Sequence, residues 1–405
     1  MTDIKQALVL GATGNIGKHV VALLRDQGIA VRAMVRNTGP LPDDVEAVQG
    51  DLADLDTLRS ALAGADAVFL LWPFLTADGA PAVAQAIASA ARRVVYVSAM
   101  SVRDDRLPAE NGVWGQVEDA LRRTGIEWTF LRASGFATNA LAWAPAIRAG
   151  QPVRMPYPAA ARSLIHERDI AEVAVRTMTQ PGHAGAAYTL TGPTAITQAE
   201  QVRILSTVAG RPTQIEEALR EEARATMLEW ADPAFADAAL DYWASLVDVP
   251  EPVTPTVAEL TGTPARTFAQ WADDHTEDFR PLSTAQVAER YVSAFQTGRM
   301  DLALQLAAPN LVRVAPLENA GELVELRGQT DIMANSARLI QNLQIHRVDI
   351  QGPFVSDDQF AVRFTFDQTH TPTGRRGTST KMSLYTVVDG AITHEEVYYF
   401  DSVPT

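Results

Sequence analysis

The sequence predicts an α/β protein, a doubly wound parallel sheet, with a separate α+β unit following it. Three observations carry that expectation. A glycine-spaced loop, "GATGNIGKHV" at 11–20, follows the apolar run "ALVL". Further short apolar runs then alternate with segments of helical composition up to about residue 280, and beyond "DFRPLS" the order changes to helices followed by long alternating strands. At 405 residues and 47% hydrophobic content the chain can fill two moderate cores, drawn here as 1–280 and 281–405.

"ALVL" at 7–10 has strand length, and Ile16, Val20, Val21, Leu23 and Leu24 have helical spacing, so the glycine loop joins a strand to a helix. In that context Gly11 permits the tight turn, Gly14 lets backbone approach a pyrophosphate, and Gly17 lets the helix pack closely on the sheet. The helix N-terminal amides then face the anion. The other reading of three glycines is an ordinary strand-to-helix connection.

The next hundred residues favour the nucleotide. Strand-like runs recur as "AVRAMV" (30–35), "VEAVQ" (45–49), "AVFLL" (67–71), "RVVYVS" (93–98) and "IEWTFL" (126–131), the alternation of a Rossmann-type doubly wound parallel sheet. The second strand ends in Arg36, with Arg32 four residues earlier, where a site for NAD places an acid on the ribose. A guanidinium there suits a 2′-phosphate, so NADP(H) is the expected cofactor; alternatively both arginines solvate the sheet edge. "GDL" at 50–52 brings Asp51 and Leu52 to the adenine, unless Asp51 is only a turn residue.

The residues also carry a family resemblance. "VLGATGNIGKHVV", "VRAMVRN", "VQGDLADLDTLRSALAGADAVFLL", "GIEWTFLRASGFATN", "ERDIAEVA", "YTLTGP" and the later "ELTGTPARTFAQWADDHTEDF" succeed one another as in the NmrA-like branch of atypical short-chain dehydrogenases. The chain resembles that branch from about residue 4 to 280. The resemblance implies an NADP(H)-binding domain followed by smaller, mainly helical substrate-side elements. Gly11, Thr13, Gly14, Asn15 and Ile16 match its phosphate loop, Arg36 its 2′-phosphate position, and Asp51 and Leu52 its adenine position. Trp72, Ser98 and Phe136 complete the expected cofactor side, Trp72 and Phe136 as walls beside the nicotinamide or as plain core aromatics.

Ordinary members of the wider family present a Tyr and, four residues later, a Lys that lowers the tyrosine pKa. The helix expected to carry them reads "ENGVWGQVEDALRR", in which only Trp114 and Glu118 loosely hold the spacing. The resemblance implies two outcomes without the dyad: hydride transfer to a substrate electrophilic in its own right, or cofactor binding that regulates without turnover. An iminium ion, quinone or activated enone needs positioning more than proton delivery. Tyr157, in "RMPYPAA", is the nearest remaining phenol for a proton donor, or a ring packed on a loop. His166 reads as support for a strand end and Asp169 as a helix N-cap.

From Pro281 the pattern is different. "TAQVAERYVSAFQTG" and "ANSARLIQNL" read as helices, and "QIHRVDIQGPFVS", "QFAVRFTFDQTH", "GTSTKMSLYTVVDG" and "AITHEEVYYFD" as strands, with an Asp-Gly hairpin between the last two. This stretch, residues 282–401, resembles the SnoaL-like group of the nuclear transport factor 2-like fold. The resemblance implies an α+β cone-shaped SnoaL-like domain whose relatives include cyclases, isomerases and binding or dimerising modules. Alternation places Phe364, Phe366 and Gln368 on one face of a strand and Arg363, Thr365, Asp367 and Thr369 on the other. A carboxylate inside an apolar cone can abstract a proton beside a carbonyl, which makes Asp367 and Glu396, with His370 and Tyr398 nearby, candidates. Lys381 stands where many relatives of this module have an acid, which puts a family-type role there in doubt. The bland reading is charge on a solvated face or a homodimer contact through this domain.

The formal net charge of −15 and the lack of a basic patch argue against nucleic acid as a partner. The absence of cysteine removes thiolate chemistry, and seven scattered histidines give no metal motif, so no metal is expected. With no leader-like N-terminus and no apolar run of membrane-spanning length, no membrane partner and a cytoplasmic location are expected. The leading expectation is an NADP(H)-dependent oxidoreductase acting on a small electrophilic metabolite, polyketide-like or alkaloid-like, with a cyclase- or isomerase-like tail. The alternatives are a non-catalytic NADP(H) sensor and a non-redox cyclase whose cofactor is structural or internally recycled.

Overall fold

The computed structural model describes residues 4–36, 41–316 and 323–400. The chain groups into two compact units: Met1–Trp143 with Pro152–Val208 and Pro212–Asp278, and Ala144–Gln151 with Ala209–Arg211 and Phe279–Thr405.

In the first unit, β1 (Gln6–Leu10), β2 (Ala30–Val35), β3 (Glu46–Gln49), β4 (Ala67–Leu71), β5 (Arg93–Ala99) and β6 (Glu127–Ala133) take up the six apolar runs seen in the sequence. Two short strands come next, β7 (Val153–Met155) and β8 (Ala161–Arg162), each with a later partner, and then β9 (Ala186–Leu190) returns to the main sheet. The short partners are β10 (Ile196–Thr197), antiparallel to β8, and β11 (Ile215–Glu217), parallel to β7. The main sheet runs β3-β2-β1-β4-β5-β6-β9, all parallel. Its strand order reverses between β1 and β4, which opens a crevice at their carboxyl ends, the binding edge of such sheets.

The strands are apolar on both faces because helices cover both. On one side α1 (Gly17–Asp26) lays Val20, Val21 and Leu24 against Val9, Val31 and Ala33, with helix Glu167–Thr179 beside it. On the other, α2 (Leu55–Leu62), α3 (Ala80–Ala90) and α4 (Gly112–Arg122) supply Leu58, Leu62, Val83, Ile87, Val117 and Leu121 against Leu8, Leu10, Val68 and Tyr96.

The helix Glu167–Thr179 corrects one expectation. Its N-cap is His166, whose Nδ1 accepts the Arg168 amide at 3.1 Å, and not Asp169, which sits in the first turn and accepts the Arg266 amide at 2.8 Å. The cap begins a buried network: Glu167 lies 2.8 Å from His275 Nε2, and His275 Nδ1 lies 2.8 Å from Asp278. Burial opposes the Glu167 charge, but the two histidines hold its carboxyl well below the usual range, and burial likewise opposes the His275 charge that Glu167 and Asp278 raise above its ordinary value of 6.5.

The second unit opens with helix Thr284–Gln296, capped by Ser283 and Gln286 in a reciprocal box. The strands are β12 (Ala307–Pro316), β13 (Leu323–Arg327), β14 (Leu343–Ser356), β15 (Gln359–His370), β16 (Arg375–Val388) and β17 (Ala391–Tyr399), ordered β13-β12-β17-β16-β15-β14. Asp389 and Gly390 form the two-residue hairpin turn, both with positive φ (52° and 77°), as an Asp-Gly pair favours. The first helix buries Val287, Ala288, Tyr291 and Val292 against Phe360, Val362, Phe364 and Tyr385 on the concave face. Among the described residues no helix is long and apolar enough to cross a membrane.

A group whose folded pKa is raised stabilises the fold fully below its unfolded value and loses that contribution as pH rises through the folded value. The stability difference between the wild type and His275→Gln is therefore expected to be constant below pH 6.5, the ordinary histidine value, and to shrink above it. Thermal melts of both proteins from pH 5 to about 9 check this; a gap that widens with pH contradicts it.

Candidate functional site

The dinucleotide loop is built by close approach. Gly11 has φ +76°, which an L side chain rarely adopts, and the Gly14 amide donates to the Gly11 carbonyl at 3.0 Å. A Cβ on Gly17 would lie 2.1 Å from the Gly11 oxygen and 2.9 Å from the Ala12 Cα. Helix α1 therefore starts directly on the loop. Its N-terminus has neither a side-chain cap nor an acid in the first turn; the Lys18 and His19 amides turn back onto the Gly14 and Ile16 carbonyls at 3.1 and 3.0 Å, and no side-chain charge in that turn opposes an anion beside the loop. Thr13, Gly14 and Asn15 are exposed, while Ile16 is buried beneath them. These residues fit a dinucleotide pyrophosphate.

The flanking positions agree. Arg36 follows the last residue of β2 and is exposed. Arg32 faces away from this role: its guanidinium donates to the Ala61 and Ala63 carbonyls and pairs with Glu46 at 2.9 Å. Asp51 follows β3 in a turn, with one carboxylate oxygen taking the Ala53 amide at 2.9 Å, and Leu52 is buried under it. Trp72 follows β4; it is 8% exposed, donates its indole N–H to the Thr76 carbonyl at 2.8 Å and stands edge-on to Phe74. Phe136 forms a backbone bridge with Ile165 and packs partly buried on the core beneath β6.

The place of the missing dyad is filled. On α4, Glu118 is fully buried and accepts from Ser98 Oγ at 2.7 Å and from Arg132 Nε at 3.0 Å and Nη2 at 2.8 Å. Arg132 also donates to Asp104. Burial opposes the Arg132 charge, yet the two carboxylates raise its pKa, and Arg132 in turn holds the Asp104 carboxyl below its usual range. Ser98 is thus engaged in a structural ion-pair network. One turn earlier, Trp114 turns its ring towards Phe235, 6.4 Å away, and Phe235 meets Trp230 at 5.8 Å. Phe235 and Trp230 had no signal in a search for polar catalytic groups; Phe235 stands in the first turn of helix Pro233–Asp248, capped by Asp232, and Trp230 in the turn just before it.

Tyr157 lies apart from that network, in the left-handed region (φ 53°), packed against Met227 and Leu240. Its hydroxyl accepts from Arg220 at 3.2 Å, and Arg220 pairs with Asp241 at 2.7 Å.

In the second unit the cone contains a cavity of about 130 Å³, and the carboxylates expected to line it do not. Asp367 lies on the opposite face of β15 from Phe366 and Gln368 and is ion-paired with Arg376. Glu396 accepts from the exposed Tyr398 hydroxyl, and His370 is bonded to Thr373 Oγ1 at 2.8 Å near the turn. The buried acid is Glu395, 2% exposed, held by Arg313 Nε at 2.7 Å. Val397 marks the inward face of "EEVYY", and counting back two residues finds Glu395; Arg313 carried no such signal because its stretch does not read as a strand. Among the described residues no group of His, Cys, Asp or Glu side chains is placed to hold a metal.

This geometry defines a dinucleotide-binding oxidoreductase domain joined to a cone-shaped α+β domain. Residues 11–181 match the NAD(P)H-binding family model and residues 288–395 the SnoaL-like domain model. A (4-alkanoyl-5-oxo-2,5-dihydrofuran-3-yl)methyl phosphate reductase of Streptomyces griseus is 40% identical over 290 residues, which cover 68% of this chain and 99% of the relative. The NAD(P)H azoreductase of Xenophilus azovorans is 35% identical over 282 residues, 67% of this chain and 98% of that protein. Among solved structures, an NADPH-dependent quinone oxidoreductase of Escherichia coli (24% identity, TM-score 0.53) covers 66% of this chain and 98% of its own. The chain belongs to the NmrA-like, atypical short-chain dehydrogenase family of NAD(P)H-binding oxidoreductases and carries a SnoaL-like domain at its C-terminal end.

Two substitutions separate the cofactor loop from the buried pair. Gly17→Ala is expected to abolish NAD(P)H binding, read by fluorescence titration, because the added methyl displaces the loop; retained affinity contradicts the close-approach argument. Glu118→Ala removes the buried partner of Arg132, leaving it only the exposed Asp104, and is expected to cost about 3–5 kcal/mol in urea denaturation, whereas a change within the usual surface range of about ±0.5 kcal/mol shows that the pair is not structurally important.

Proposed function

We propose that the protein is an NADPH-dependent reductase of small organic electrophiles, and that its substrate is an alkene polarised by two carbonyl groups. The observation that carries this reading is the Glu118–Arg132 network. The helix position that supplies lysine in acid-assisted reductases holds a buried carboxylate engaged with Ser98 and Arg132, and the tyrosine position holds Trp114. A simple ketone needs a proton on its oxygen as hydride arrives, and this site offers no acid for it. A doubly activated alkene spreads the incoming charge over two carbonyls as a stable enolate, which water can protonate.

The name of the Streptomyces griseus relative supports this class. It describes a dihydrofuranone whose ring alkene bears both an alkanoyl group and the ring carbonyl. NADPH, when bound, supplies the hydride. The protein's own residues bind and orient. The glycine loop at the positive end of α1 would hold the diphosphate, Arg36 the 2′-phosphate, and Asp51 and Leu52 the edge of the adenine. Trp72 and Phe136 wall the nicotinamide end, and Trp114 and Phe235, their rings inclined at 48°, offer an apolar surface to the substrate. We assign no proton transfer to Tyr157, whose hydroxyl is engaged by Arg220. No carboxylate step is assigned to the C-terminal domain either, since Asp367, Glu396 and His370 lie away from its cavity.

Purified protein is expected to oxidise NADPH in the presence of a 3-acyl-2(5H)-furanone and to leave the matching saturated ketone untouched, followed at the absorbance of the reduced nicotinamide. Turnover of the ketone alone sinks the proposal, as does a bound cofactor that no activated alkene, quinone or imine consumes, the behaviour of a sensor. Arg36→Ala is expected to weaken NADPH by about 10–100-fold through loss of charge-assisted hydrogen bonds while leaving NADH affinity nearly unchanged; equal losses for both cofactors remove the 2′-phosphate role.

A further inference from the structure

The cavity of the C-terminal domain has an unusual charge. Its walls come from the concave face of the sheet and from helix Gln329–Ile340, and among the described residues none that lines it is acidic. The polar lining is rich in donors: Arg313, Ser336, Gln368, Ser379 and Lys381, with Phe366 among the apolar groups. Register explains the set. Lys381 and Ser379 lie two apart on β16, opposite Phe364 and Phe366 on β15, so all four share the concave face.

Four of these groups are already paired. Arg313 donates from Nε to Glu395 at 2.7 Å and from Nη1 to Ser336 at 2.7 Å, and Gln368 donates to Ser379 at 3.0 Å. The Arg313–Glu395 pair is neutral in sum, so one cation remains. Lys381 Nζ lies 5.2 Å from the Phe364 ring centre and 5.9 Å from that of Phe366, and among the described residues it makes no hydrogen bond or ion pair. Two aromatic faces compensate a desolvated ammonium only in part, and a cation left without an anion in such a place is costly. Burial, followed by the competing influences of Glu395 and Arg313, leaves its pKa below the ordinary lysine value, consistent with a missing counter-charge.

We propose that this cavity binds a small organic oxyanion, a carboxylate or enolate on a compact apolar body, with the charged end against Lys381 and the apolar body against Phe366 and its aliphatic neighbours. The donors present suit the head and the rings suit the body, while the absence of an acid among the described lining residues disfavours amines and metal ions. A cavity of about 130 Å³ limits the enclosed part to a few carbon atoms or a single ring. The site would make this domain an anion-binding module, and the assignment is independent of the reductase reading, since it uses residues of the C-terminal domain alone.

The test uses the full-length protein with benzoate and butyrate as probes and benzamide and butanol as their neutral counterparts, in ligand-observed NMR and calorimetric titration. The two carboxylates are expected to bind about 10-fold or more tightly than the neutral molecules. Lys381→Met is expected to remove that preference while NADPH affinity stays as in the wild type, and Lys381→Arg to keep it in part. Neutral probes that bind as well as the carboxylates, carboxylates that fail to bind at millimolar concentration, or an unchanged preference in Lys381→Met each overturn the proposal. A melting temperature for Lys381→Met at or above that of the wild type guards against loss of binding through unfolding, and a variant that unfolds at lower temperature is replaced in the comparison by Lys381→Gln.

Discussion

The approach of Gly17 to the carbonyl of Gly11 leaves no room for a Cβ, and the cofactor end of the molecule is arranged around that steric condition. Because only a hydrogen stands between them, α1 can begin directly on the turn that closes β1. Its positive end then starts at the loop that follows β1, beside the point where the strand order reverses, without a capping side chain or an acid in the first turn. The buried stripe Val20, Val21 and Leu24 fixes the helix in that position against the sheet. Fold and packing are in this sense one feature: the same residues that close the core fix the start of the helix on the glycine loop.

At the catalytic end a comparable economy acts in the opposite direction. Glu118 and Arg132 convert what is elsewhere a proton-handling helix face into a buried ion pair, with Ser98 drawn into it. Such a pair is seldom a net source of stability, but it is expensive to break because the remaining charge loses its buried counterpart. On the function proposed above, reactivity then comes from the substrate. Trp114 and Phe235 supply surface and shape in its place, which suits a flat conjugated molecule better than one that requires protonation in the transition state.

Much of this was legible in the sequence, for reasons that differ from element to element. The six apolar runs became β1 to β6 because a parallel sheet covered on both faces leaves continuous apolar strands, a signal that needs no tertiary information. The Asp-Gly turn was legible because its two positive φ values restrict the residues that can occupy it. The ninth strand, and β12 and β13, do not read as strands: "AAYTL" is only partly buried at an edge, and Ala307–Pro316 mixes proline and asparagine into a strand that lies between two partners of opposite direction. His166 displaced Asp169 as the helix cap because Arg266, 97 residues away, claims the aspartate. In the cone, parity decided the outcome. One residue separates the exposed Glu396 from the buried Glu395, and Asp367 faces away from the cavity because Phe366 and Gln368 face into it.

The central claim is that the N-terminal domain delivers hydride to a carbon that needs no protein acid. Deuteride tracing tests it most directly: NADPH carrying deuterium at the nicotinamide C4 is turned over with an activated ring alkene, and the product is examined by mass spectrometry and NMR. The account predicts one deuterium on the former alkene carbon that lies β to the two carbonyl groups, and a proton from solvent on its neighbour. Deuterium found on a carbonyl carbon, or retained entirely in the cofactor while product forms, contradicts it.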